Sequence, residues 1–173
     1  MTFEVAELSR RLANLVMLGK VAEVDHEAAC VKVKAGDLVT AWRPWLALRA
    51  GGDSHWHPPE VDEQVILLSV NGDPAQSVVL VGIYQDAHPA PSADPDVDVS
   101  KYSDGATISY DRKKHVLNAT LPEGASVELK GAAVEVIAPD GVTIEGDVIV
   151  SGSIYVGGLL IDGGGNTNHH SHP

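Results

Sequence analysis

His170-Ser171-His172 is the one stretch of the chain whose residue types and spacing suit metal chemistry. In an extended segment, residues i and i+2 point to the same side. Both imidazoles therefore face one way and Ser171 faces the other. Two imidazoles from one chain make a poor metal site. Three chains around a common axis would bring six ring nitrogens together, which suits an octahedral ion. Structural zinc favours four ligands in a tetrahedron, so iron or nickel fits better. With every position filled, neither water nor substrate could bind, and the metal would tie chain ends together rather than catalyse. A fraying polar tail and a purification tag stay open as alternatives, although Ser171 interrupts the histidines. His169 lies out of phase with the pair.

Other residues compete for attention. His55 and His57 share the i, i+2 spacing, but Gly51-Gly52 precedes them and Pro58-Pro59 follows. That context gives a loop with no fixed orientation. All three tryptophans, Trp42, Trp45 and Trp56, fall in this part of the chain. They read as a barrel lid or subunit contact, with a ligand-stacking surface as the other possibility. The single cysteine, Cys30, sits in an apolar strand-like run and reads as an inert thiol.

The elements that would carry the His-Ser-His pair have a strict character. From Gly105 onward, apolar residues recur at every second position: Ala106, Ile108, Tyr110; Leu117, Ala119, Leu121; Ala125, Val127, Leu129; Ala132, Val134, Val136, Ala138. Val142, Ile144, Val148, Val150, Ile154 and Val156 continue the series. A period of two means strands with one covered face. Glycines at 105, 124, 131, 141, 146 and 152 punctuate them. Each strand is short, and one copy would leave long open edges that invite pairing with another chain. The pattern implies self-association into a narrow β-prism. The spacing is too irregular for a hexapeptide solenoid.

Upstream, residues 1–19 read as a helix with Thr2 as cap and Gly19 as stop. Val5, Leu8, Leu12, Leu15 and Val16 form its apolar stripe, which packs either on its own domain or on copies of itself. Residues 20–87 hold about five strand-like runs and the turn Asn71-Gly72-Asp73-Pro74, predicting a small antiparallel barrel of oligonucleotide/oligosaccharide-binding (OB) type. Residues 88–104 are rich in Pro, Ala and Asp and predict a semi-extended linker. The prism then spans residues 105–161 and the metal-bearing apex residues 162–173.

Composition narrows the function. Aromatic residues make up only 5% of the chain and there are 17 glycines, which favours turn-rich β structure. Twelve Lys and Arg stand against 24 Asp and Glu, a net charge of −12. Such a surface repels nucleic acid and anionic headgroups, so nucleic-acid binding is not expected. Mechanical entry into a membrane needs no affinity and is not excluded. No signal peptide or membrane-spanning run is evident, so the chain is expected to be made and kept in the cytoplasm.

The whole chain resembles the baseplate assembly protein V, or central spike, family of contractile-tail phages and R-type tailocins. The resemblance is carried by the first helix, Trp42-Arg43-Pro44-Trp45, and the Gly51-Gly52 turn leading through Trp56 and Pro59 to Glu63-Gln64-Val65. Ser69-Val70-Asn71-Gly72-Asp73-Pro74, Val79-Leu80-Val81-Gly82-Ile83-Tyr84, the glycine-punctuated β segment and His-Ser-His complete it. Asp62 stands where a glycine is usual before the Glu-Gln pair, which puts a local turn in doubt.

The resemblance implies a mainly β homotrimer: N-terminal helix, OB-like barrel, then a triple-stranded β-helix. It implies an iron ion at the apex, held by His170 and His172 of each chain. It also implies chloride or calcium inside the β-helix, for which Asp162 or Asn166 could serve. The linker leaves no room for the lysozyme domain that some relatives carry, so no enzymatic activity is expected. The expected partners are a baseplate hub protein and, by mechanical contact, the host outer membrane, in a virion or tailocin baseplate tip assembled in the host cytoplasm. A trimeric β-helical metalloenzyme, with Asp162 as its nearest acidic residue, and a glycan-binding barrel are the alternatives from other classes.

Overall fold

A computed structural model describes residues 2–158. The chain divides into two compact units, Met1–Ser126 and Val127–Pro173. The first opens with helix α1 (Phe3–Leu15) and continues directly into strand β1 (Val16–Asp25). Strands β2 (Cys30–Ala35), β3 (Leu38–Val39), β4 (Arg43–Pro44), β5 (Gln64–Ser69) and β6 (Ser77–Ile83) follow. They form one antiparallel sheet in the order β3-β2-β1-β5-β6, with β4 also paired to β2. A parallel bridge from Trp45 to Val79 returns the chain from β4 to β6, and Leu46 N–H donates to the Val79 carbonyl at 2.8 Å. That bridge joins the two ends of the sheet and closes a barrel.

Alternation builds the interior. Val21, Val31, Val33, Val65, Leu67 and Val79 are essentially inaccessible to solvent. Met17, Val24, Leu38, Trp45 and Val81 pack around them. Gly19 belongs to β1, where a Cβ would lie 2.6 Å from Val33 Cγ1 and 2.8 Å from the Lys34 carbonyl oxygen. The helix therefore ends at Leu15, not at Gly19. Val16, Met17 and Leu18 suit a helical stripe equally well, but pairing with Leu68, Leu67 and Ile66 takes them into the sheet. Thr2 occupies the N-cap position but makes no side-chain cap bond.

The segment predicted as a linker contains strand β7 (Val97–Lys101). Past Pro95 the alternation resumes with Val97 and Val99, and β8 (Thr107–Asp111) supplies the hydrogen-bonding partner. Strand β9 (Val116–Thr120) completes a three-stranded antiparallel sheet in the order β7-β8-β9. Residues 121–158 form no strand or helix. The alternating apolar positions expected to pair there have no ladder within the single chain.

Candidate functional site

His170 and His172 lie outside the described residues, as do Asp162 and Asn166. Among the described residues, no group of three or more His, Cys, Asp or Glu side chains is placed to hold a metal. His55 and His57 are both exposed. The His55 N–H is tied to the Arg49 carbonyl at 3.0 Å, and the His57 ring meets Tyr102 edge-on at 6.3 Å. Among the described residues, the competing pair therefore gathers no further ligand.

The tryptophans make contacts within the barrel unit. Trp45, which makes the closing bridge, stacks at a tilt on Trp56, with ring centroids 5.5 Å apart. That contact pins the long loop before β5 onto the barrel. Lys32 lies over the Trp42 ring at 4.7 Å while pairing with Glu23 at 3.0 Å. Cys30 is half-buried and free.

The corner before β5 is held by a carboxylate that the sequence did not single out as structural. Glu63 Oε1 accepts from the Gly82 N–H and Oε2 from the Glu60 N–H, both at 3.1 Å. Gln85 Nε2 donates to the Asp62 carbonyl at 2.7 Å. Gly82 marks a register shift in the β5–β6 ladder and has φ +92°, a bulge that bends the strand. Glu63 satisfies the N–H that the bulge frees.

Outside the barrel the single chain leaves its apolar positions uncovered. In β8 the small and polar Thr107 and Ser109 are half-buried, whereas Ile108 and Tyr110 are exposed. Every residue of β9 is exposed. In the second unit, Val127, Leu129, Val134, Val136, Val142, Ile144, Val148 and Ile154 each leave more than half their surface open. Spaced singly, exposed aliphatics need no explanation; a periodic series of them marks an interaction surface.

Residues 17–84, the barrel, match the family model described as the Type VI secretion system/phage-baseplate injector OB domain. The chain is also 33% identical over 168 residues to the spike protein of Escherichia phage P2, covering 93% of this chain and 80% of that protein. The resemblance read from the tryptophan run, the Asn-Gly turn and the β6 segment thus extends across the barrel and the glycine-punctuated region together, and the chain belongs to the phage baseplate spike family.

Proposed function

We propose that this protein is the structural central spike of a contractile-tail baseplate, a homotrimer that pierces the host outer membrane when the sheath contracts. The observation that carries this reading is the periodic run of exposed aliphatic residues from Val127 to Val156 in a chain related along nearly its whole length to a phage spike protein. Three copies winding together would give each short strand partners on both edges and cover each apolar face. A prism built that way resists bending because its hydrogen bonds run between chains.

The role is structural rather than catalytic. At the tip, His170 and His172 of three chains would hold one iron ion; paired imidazoles at i, i+2 supply the nitrogen donors such an ion takes. The iron would lock the point, where little apolar area is available to hold the chains. Chloride or calcium inside the prism, docking of the barrel end on a baseplate hub, and a place at the virion baseplate tip belong to the same proposal. Light scattering of the native protein tests it: a particle of three chain masses is expected, and a stable folded monomer would end it.

A further inference from the structure

From helix α1 we infer that the protein carries a second self-association surface, separate from the aliphatic series of residues 127–156: a short parallel coiled coil in which the α1 helices of different copies meet. The inference rests on the multi-copy reading above and specifies where the N-terminal parts touch. Val5, Leu8, Leu12 and Leu15 follow one another at intervals of three, four and three. That is a strict a/d heptad seam, narrower than the broad stripe a helix uses to pack on a globular body.

The helix does not use this seam on its own barrel. No residue of α1 is buried. Its partly covered positions are Glu7 and Asn14, and Gly72 abuts the backbone at Arg11. The side turned to the barrel is therefore polar. The seam residues remain 50%, 59%, 59% and 38% exposed, in chain order.

Charge favours another copy as the occupant. The chain carries −12, which makes copies repel. Within α1, however, Glu4 and Glu7 balance Arg10 and Arg11. Glu7 is moreover paired with both arginines on its own chain, at 2.8 Å to Arg10 and 2.7 Å to Arg11. Each helix is thus neutral overall, so like helices can approach there without the repulsion that the charge of the whole chain would bring. A seam with Val and Leu at a and Leu at d fits an identical partner.

The test is disulfide trapping in the full chain with Cys30→Ser as background. Leu12→Cys places a thiol on the seam; Ala13→Cys places one on the exposed side of the same helix. On mild oxidation, Leu12→Cys is expected to give crosslinked pairs about tenfold or more faster than Ala13→Cys, because a helix contact holds seam thiols at high effective concentration. Equal rates, or no crosslink, in a sample whose light scattering still shows a multi-copy particle would overturn the seam alone and leave α1 facing a different protein. A monomeric mass would overturn the seam together with the proposal it rests on.

Discussion

Gly72 sits so close to helix α1 that a Cβ built on it would lie 2.6 Å from the Arg11 Cα. Gly72 is buried, and its φ is +71°. Asn71 before it is also left-handed, at φ 55°. This turn links β5 to β6 and seats the helix on the barrel through backbone approach rather than through apolar side chains. Gly72→Ala is expected to cost roughly 2–4 kcal/mol, from the left-handed backbone and the overlap together. Urea denaturation measures it. A midpoint equal to the parent's would show that α1 is not seated here.

Asp62 provides a contrasting case. It holds φ +69° at the position where the family resemblance favours glycine. The aspartate keeps the turn, because short polar side chains tolerate this region better than others. Asp62→Val is expected to destabilise by roughly 1–2 kcal/mol, and Asp62→Gly to stay within about 1 kcal/mol of the parent. Thermal melts of the two variants side by side decide it; equal losses would mean that the Asp62 side chain, not its backbone angle, matters.

These two turns show what the sequence makes legible. The barrel strands could be read because alternation and turn punctuation agree: Val65, Leu67 and Ser69 point inward, and Asn71-Gly72 closes the strand. The end of α1 could not, because Val16 and Leu18 satisfy both a helical and a strand pattern until β5 is present to pair with them. Strand β7 was hidden by the prolines just before it, since five residues carry a weak periodic signal. The role of Glu63 depends on a bulge at Gly82, nineteen residues away in the chain, which no local pattern announces. His170 and His172 can be read from the sequence only as a spacing that suits a metal; convergence of three such pairs would be a property of an assembly, which one chain does not display.

Leu67 is the largest of the fully buried side chains in the barrel. Leu67→Ala is expected to cost about 2–5 kcal/mol through lost burial and an unfilled cavity. Because the core belongs to the barrel alone, the loss should be seen in a calorimetric scan as a lowered barrel transition. An unchanged transition would mean that the six-residue core does not set barrel stability.

Glu7 gives a pH signature. Hydrogen bonds from Arg10 and then Arg11 hold its carboxyl down from 4.5 to about 2. A folded-state value below the unfolded one contributes stability above pH 4.5 that fades as pH falls towards about 2. Carbon-detected NMR of the Glu7 carboxyl should show the late titration, and Arg10→Gln should move it back up. A Glu7 carboxyl titrating at its ordinary value would mean that Arg10 and Arg11 do not hold it in solution.

The tip is tested by removing its ligands. If three His170–His172 pairs surround one iron, the double change His170→Ala with His172→Ala should abolish iron in elemental analysis, while light scattering still gives three chain masses. The separation follows from where the cohesion would lie: the aliphatic series of residues 127–156 is long and would bury apolar area on every strand, whereas a metal held by His170 and His172 would act only at the end. Limited proteolysis should then release short C-terminal fragments from the variant before the parent. Nickel in place of iron in the parent would keep the six-nitrogen geometry and change only the ion. Loss of the trimer in the double variant would mean that the metal, rather than the buried aliphatic faces, holds the chains together.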